Sequence, residues 1–420
     1  MKQIIKYLRK MIPHNSPLRL WYTRVLQVAA YVLVPINLQK IKLIGVTGTD
    51  GKTTTVEMVA HILGELNIDY ISTTSLEVKI SGNTITASKR TTPSLWQLRK
   101  LLKKAKTKDV GVAVIEVSSH ALAQWRVFGI KFDTAVLTNI THEHLNFHKT
   151  RARYAAAKKL LFTRHLKREG VAILPTSDEY GSKWLTELAH TTGYTNPEST
   201  TTHTGTEFIY NDINYTIPML GSYNTGNAVA AALAVESLGL EISLPKALAA
   251  LSTFAGIPGR MQVIPSCDLG IVAIVDFALT ERAMNSALHT AREIAGDNKV
   301  IVIFGATGGQ HDTTVRPGLA RAAANNADIV VITDDEPYSS DPAEIRADLI
   351  NSLQQADTNC EYHNIENRRN AIKFALSKVN RGDVVILTGM GHYTSRTVDG
   401  HEEPWSDELA LTEELHKLAT

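Results

Sequence analysis

The chain has 420 residues, 44% of them apolar, which is enough for two or three domains with cores of their own. Its 44 Lys and Arg against 42 Asp and Glu leave a formal charge of +2, so no bulk basic field argues for a nucleic-acid partner. Two cysteines, Cys267 and Cys360, make no disulfide framework and fit a reducing cytoplasm.

The first segment is basic, with Lys2, Lys6, Arg9, Lys10, Arg19 and Arg24. The apolar stretch from Val25 to Leu38 is broken by Gln27, Pro35 and Asn37. It falls short of the ~20 apolar residues of a spanning helix. No small-residue cleavage site follows it, which argues against a signal peptide. Residues 1–40 therefore read as a basic helical tail. Two placements fit: packed on the first domain, or lying on the inner face of a membrane as an amphipathic segment.

A short β-rich apolar run at 41–46 leads into the glycine-rich TGTDGKTTT, and a helical pattern follows at 56–66. Residues 94–106 read as a basic amphipathic helix, 112–117 and 134–137 as buried strands, and 154–165 as a helix. An alanine-rich helix at 224–238 ends at Gly239, a natural C-cap. GIPGR at 256–260 fits a linker. Strands at 271–276, 300–304, 329–333 and 384–387 then alternate with helices at 281–294, 319–325, 342–353 and 368–379. Repeated βα units imply parallel sheets covered on both faces. The expected fold is α/β: a central P-loop NTPase-like domain over 41–256 and a Rossmann-like domain over 257–420.

The loop carries the first chemistry. Gly48 and Gly51 let backbone N–H groups turn towards phosphate oxygens, and the following helix adds its positive end. Lys52 can reach the β- and γ-phosphates of ATP, and Thr53 or Thr54 can offer a hydroxyl to Mg²⁺. Only two residues separate the glycines, against four in the common P-loop. An ordinary glycine turn would leave Lys52 and three threonines unexplained.

TGTDGKTTT resembles the short loop of Mur ligases and folylpolyglutamate synthases, with Asp50 where that family has Asn. The longer phrases IEVSSHALAQWRVF at 115–128 and TNITHEHLNFHKTRARYAAAKKLLF at 138–162 resemble the MurE-type subgroup. That subgroup adds the third amino acid to UDP-N-acetylmuramoyl-dipeptide. The resemblance implies Mg²⁺ ligation by Thr53, Glu116 and His144, and a carbamylated lysine at Lys158. A carboxylate at a strand end suits Mg²⁺, and a carbamate converts an ammonium into an anionic oxygen ligand. The resemblance also implies ATP contacts at Thr49, Asn224 and Asn227, and substrate contacts at Thr91, Thr92, Ser118 and Arg126. A rival reading takes His142, His144 and His148 as a zinc site. His120 and His148 read as structural histidines.

Past the linker, PGRMQ at 258–262 resembles the family hinge, so Arg260 is expected to touch ATP phosphates on closure, with Asp276 nearby. The resemblance carries substrate contacts onto Asp312, Arg316, Tyr338, Gly389 and His392. Several family cations are replaced here. Tyr338 stands where an Arg marks diaminopimelate selectivity, Leu279 replaces a histidine, and Met390 replaces a lysine. Only 47 residues precede Gly48, too few for the family's UDP-gripping domain.

The expected activity is an ATP-dependent, ADP-forming acid–amino-acid ligase of peptidoglycan precursor synthesis. It would use ATP and Mg²⁺, act on a muramoyl peptide and an amino acid as a monomer, and meet the membrane only peripherally. The alternatives are a ligase for another carboxylate (a lipid-linked muramoyl peptide or a folate-like acid) and a weakly active ATP-binding regulator.

Overall fold

The computed structural model describes residues 16–87, 90–141, 143–309, 313–356 and 360–419. It divides into two units. The first holds the chain to Pro197, with Tyr210–Tyr215 and Asn224–Phe254. The second holds Glu198–Ile209, Thr216–Tyr223 and Ala255–Thr420.

The first unit opens with a helix over Pro17–Leu33, N-capped by the Ser16 hydroxyl, which accepts from the Arg19 amide. Among the described residues no helix is long and apolar enough to cross a membrane. The helix packs through its polar side. Arg24 Nε donates to the Ala123 carbonyl at 3.1 Å, and the Leu95 amide donates to Gln27 Oε1 at 2.9 Å.

The strands that follow are β1 (Lys42–Thr47), β2 (Tyr70–Thr73), β3 (Glu77–Ile80), β4 (Asn83–Ala87), β5 (Val112–Glu116), β6 (Phe132–Leu137), β7 (Leu166–Pro175) and β8 (Thr191–Tyr194). They form one sheet in the order β4-β3-β2-β5-β1-β6-β7-β8. The six strands from β2 to β8 run parallel, and β3 and β4 add an antiparallel edge. β1 sits between β5 and β6, and its apolar residues are fully buried, as a doubly covered strand requires. The loop after β1 opens at the carboxyl end of the sheet, where α/β sheets bind their ligands.

Three local features differ from the sequence reading. The loop helix spans Lys52–Glu65, starting directly at Lys52 because left-handed Gly51 (φ 79°) is its N-cap. The expected helix at 154–165 is instead an α-helix over Arg151–Leu160 followed by a π-turn over Leu161–His165. That turn ends in β7, whose charged first half hid it from a hydrophobic pattern.

In the second unit β9 (Ser199–Thr202) pairs antiparallel with β10 (Gly205–Tyr210, its last residue in the first unit), and β11 (Ile213–Ile217) follows, with only Thr216 and Ile217 in the second unit. Its main strands are β12 (Gln262–Ile264), β13 (Val272–Val275), β14 (Val300–Phe304), β15 (Ile329–Ile332), β16 (Glu361–Asn364) and β17 (Val384–Leu387). They form a sheet in the order β12-β13-β17-β14-β15-β16, parallel except for β12. One apolar cluster covers each face, the first around Leu288 and Leu349 and the second around Ile372 and Leu411.

A buried ion pair crosses the second cluster's end of the unit. Arg368 Nε and Nη2 donate to Asp407 Oδ1 and Oδ2 at 2.7 and 2.6 Å, and neither side chain is exposed. Nη2 also donates to the Thr388 carbonyl at 2.9 Å, and Trp405 Nε1 donates to Asp407 Oδ1 at 2.8 Å. Removing one member leaves a buried charge without its counterion. Arg368→Ala is expected to cost about 3–5 kcal/mol in denaturant unfolding. Truncating Arg292, whose pair with Asp328 is exposed, is expected to cost about 1 kcal/mol or less.

Candidate active site

The loop after β1 is clamped from both sides. Thr138 Oγ1 donates to the Asp50 carbonyl at 2.5 Å, and the Asp50 amide donates to Asn139 Oδ1 at 3.0 Å. The Thr49 amide donates to the Asn139 carbonyl at 2.9 Å. Both glycines are needed for this closeness. A Cβ at Gly48 would lie 1.7 Å from Thr138 Oγ1, and one at Gly51 would lie 2.5 Å from Asn227 Oδ1. Asn227 comes from the helix Tyr223–Glu236 and donates to Asn224 Oδ1 at 3.0 Å. Thr55, a residue the sequence reading passed over, donates to the Gly51 carbonyl at 2.9 Å and to Asn227 Oδ1 at 3.4 Å. Thr54 is buried in the same turn.

The charged groups sit around this clamp. Lys52 Nζ folds back to donate to the Thr49 carbonyl at 2.5 Å. Thr53 Oγ1 donates to Glu116 Oε2 at 3.1 Å, and the Ser75 amide donates to the same oxygen at 2.7 Å. Glu116 ends β5 almost fully buried, and Ser75 follows β2. Ser75 escaped the sequence reading because a serine after a four-residue strand carries no signal of its own.

Lys158 is the buried cation of this group. It is fully buried, its Nζ donates to the Gly48 carbonyl, and it lies 4.4 Å from the centre of the Tyr154 ring. Burial, then the neighbouring Lys52 charge, holds its pKa well below that of an ordinary lysine. The Tyr154 hydroxyl lies 3.2 Å from Thr49 Oγ1 and donates to Glu143 Oε2 at 3.1 Å.

The histidines form a packed group beside Tyr154. His144, in a left-handed conformation (φ 54°), has its ring 4.7 Å from that of His120 and 6.2 Å from Tyr154. His148 Nε2 lies 3.0 Å from Ser119 Oγ. Burial first, then neighbouring positive groups, lowers His120 to about 3 and His148 to about 4. Both are neutral near pH 7. His142 lies outside the described residues. Among the described residues, no three His, Cys, Asp or Glu side chains converge as a metal site. The donors that do meet, a hydroxyl and a carboxylate at Thr53 and Glu116, are oxygens, which suits Mg²⁺ with its own waters better than Zn²⁺.

A second group gathers three of the expected substrate contacts. Thr92 Oγ1 donates to the Glu116 carbonyl at 2.8 Å, and the Ser118 amide donates to Thr92 Oγ1 at 3.0 Å. Arg126 Nη1 donates to the Thr92 carbonyl at 3.0 Å. Thr91 is half-buried beside them. Burial and nearby Arg90 push Arg126 down to about 10, so it keeps its charge at neutral pH. Two cations at this end of the sheet suit an anionic ligand.

In the second unit, Asp276 Oδ1 accepts from the Met261 amide at 2.8 Å, and the Arg260 guanidinium lies 4.5 Å from the Phe277 ring centre. Burial raises the Asp276 pKa, with Arg260 opposing. His392 is lowered to about 4 by burial and then by Arg260. Gly389 packs so closely on Asp335 that a Cβ would lie 2.1 Å from Oδ2. The Tyr338 hydroxyl donates to Glu336 Oε2 at 2.7 Å. Arg316 is buried, donating to Asp348 at 2.6 Å and to the Thr307 carbonyl at 3.2 Å. Asp312 lies outside the described residues. The sequence reading missed Asp335, because three consecutive acidic residues look alike until burial separates them.

Asp335 is pushed up to about 6, first by burial and then by Asp407 and Glu336, against the pull of Arg368. Its folded pKa exceeds its unfolded one, so the fold favours the neutral acid and loses stability as pH rises through about 6. Asp335→Asn should therefore stabilise the protein at pH 8 by on the order of 2–3 kcal/mol and leave it unchanged at pH 4. Thermal unfolding at the two pH values checks this; an equal gain at both would contradict it.

Comparison with known proteins gives the family. Residues 46–235 match the Mur ligase middle domain, and 259–391 match the Mur ligase, glutamate ligase domain. The chain is 33% identical over 369 residues to UDP-N-acetylmuramoyl-L-alanyl-D-glutamate–2,6-diaminopimelate ligase of Clostridium tetani, covering 84% of this chain and 73% of that one. It is 36% identical to the Synechococcus elongatus protein of that name, covering 84% of this chain and 72% of that one. A solved structure of a ligase with this name superposes with a TM-score of 0.63 at 27% identity, covering 95% of this chain and 82% of that one. Mycobacterium tuberculosis folylpolyglutamate synthase, solved with ADP and AMPPCP, shares the fold at a TM-score of 0.66 and 18% identity, covering 94% of this chain and 95% of that one. The chain belongs to the Mur ligase family of ATP-dependent acid–amino-acid ligases.

Proposed function

We propose that this chain joins a muramoyl-peptide carboxylate to an amino acid through an acyl-phosphate, in peptidoglycan precursor synthesis. The observation that carries the reading is the oxygen pair of Thr53 and Glu116 beside Lys52, with the buried Lys158 amine beneath the same loop. The relatives named above supply the substrate class.

In this reading the domain over 41–256 binds ATP. Loop N–H groups between Gly48 and Thr54 hold the phosphates, and Lys52 swings from the Thr49 carbonyl to the γ-phosphate. Asn227 and, through it, Asn224 support the loop's far side. Mg²⁺, held by Thr53, Glu116 and His144, would neutralise charge on the phosphate oxygens. Thr91, Thr92, Ser118 and Arg126 orient the acceptor. A carboxylate oxygen attacks the γ-phosphorus, the bond to the β-phosphate oxygen breaks, and ADP leaves. The amine nitrogen then attacks the activated carbonyl, loses a proton, and expels phosphate. Positioning and fixed charge carry both steps.

Lys158 enters as a carbamate. Burial and the Lys52 charge favour the neutral amine, the form that adds to CO2 with loss of a proton. The product is an anion facing the loop.

In the domain over 257–420, Arg260, Asp276 and His392 serve the nucleotide side. Gly389, Arg316, Asp312 and Tyr338 serve the amine side. Tyr338 bonded to Glu336 leaves that corner acidic, which disfavours a second carboxylate on the amine. The protein acts as a monomer. A lipid-linked acceptor, with the N-terminal helix as a peripheral membrane contact, is the second reading, favoured by one observation: that helix bonds through Arg24 to the Ala123 carbonyl, between Ser118 and Arg126.

Phosphate release from ATP should rise only when an amino acid and a muramoyl peptide are both present, UDP-linked and lipid-linked acceptors being compared. ATP binding without stimulation by any such pair would sink the ligase reading. Lys158→Ala should lose turnover by on the order of 100-fold or more, with partial rescue by short carboxylic acids. Unchanged turnover would remove the carbamate.

A further inference from the structure

The helix Pro17–Leu33 is mounted with its polar side inward. Arg24 and Gln27 bond to the domain, and Tyr31 packs edge-on against Phe128 at 5.4 Å with the Arg99 guanidinium 4.6 Å from its own ring. Arg99 Nε also donates to the Val34 carbonyl at 2.6 Å. The apolar side is left outward. Leu18, Trp21, Val25, Val28 and Val32 recur at three- and four-residue steps, so they share one face. Trp21 is 64% exposed, Val32 68% and Leu18 62%. A shallow groove of about 470 Å³ opens on this face between Trp21, Val25, Val28 and Trp125.

Single exposed apolar residues need no explanation, but a whole helix face does. The local charge selects its occupant. Residues 1–49 contain eight Lys or Arg and no Asp or Glu. In the rest of the chain 36 cations face 42 anions, so this end is net positive while the remainder is net negative. A second copy would bring like charges together, whereas an anionic surface complements them. The helix is too short and interrupted to span a bilayer, but Trp and aliphatic residues on one face with arginines at its edges match an interfacial helix.

We infer that the outward face centred on Trp21, Val25 and Val32 docks on an anionic lipid bilayer, holding the segment from Ala123 to Arg126 against the membrane. This deepens the membrane contact proposed above by naming its surface and its lipid charge. Arg24 links the two sites: it bonds to Ala123, and its guanidinium lies 4.9 Å from the Trp125 ring centre, one residue before Arg126. An acceptor carried on a membrane lipid would therefore meet its contacts at the docked edge of the first unit.

The test is co-sedimentation of the full chain with phosphatidylcholine vesicles, with and without phosphatidylglycerol, alongside a Trp21→Glu/Val32→Glu double variant. The full chain should partition onto the phosphatidylglycerol vesicles, less so at high salt. The double variant should partition roughly tenfold less or weaker still, because two charges enter the inserted face. Amine-dependent phosphate release with a soluble acceptor should be equal in the two proteins, which shows that the variant is folded. No partition by the full chain, or equal partition by both, overturns the inference. So does a native dimer in light scattering that the variant dissociates, since the face would then hold a second copy. A failure of the ligase reading would appear in the phosphate assay alone and leave the vesicle result standing.

Discussion

A lysine amine buried beneath a glycine loop constrains everything around it. Lys158 donates to the Gly48 carbonyl, rests against Tyr154, and has a second cation, Lys52, close by. Burial and that cation disfavour the ammonium and so favour a neutral nitrogen, with Glu143, Asp50 and Glu116 opposing. The proposed carbamate would replace that ammonium with oxygens. The loop cannot relax away from Lys158, because Thr138 and Asn139 hold it from β6 and Asn227 holds it from the opposite side. Gly48 and Gly51 are the residues that make such a tight clamp sterically feasible.

The sheet order places the remaining chemistry. With β1 between β5 and β6, the carboxyl ends of three adjacent strands deliver the loop, Glu116 and the Thr138–Asn139 pair to one rim. β2 delivers Ser75 to the same rim. Thr92 then ties Glu116 to the Ser118 segment, bonding to the Glu116 carbonyl and to the Ser118 amide with one hydroxyl.

The loop, its helix and the parallel α/β character were legible because they rest on local rules: glycines before Lys-Thr, and apolar runs separated by helical periods. The family expected from the long phrases is the family that the comparisons give. Ser75, Thr55 and Asp335 were not legible, since each acquires meaning only from what the fold sets opposite it. β3 and β4 escaped notice because runs of four and five residues are too short for a pattern to stand out, although Glu77–Ile80 does alternate. The N-terminal helix is the sharpest case. Its periodicity announced an apolar face, yet only the contacts of Arg24, Gln27 and Tyr31 show that this face points away from the domain. Periodicity fixes which residues share a side and says nothing about which side is buried.

The central claim is that a substrate carboxylate attacks ATP before the amine does. It is tested by an acceptor peptide labelled with ¹⁸O in that carboxylate, with the released phosphate analysed by mass. An acyl-phosphate route carries one labelled oxygen into each phosphate, because the oxygen that attacked phosphorus leaves with it. Unlabelled phosphate, released at the same rate as amide forms, would contradict the account.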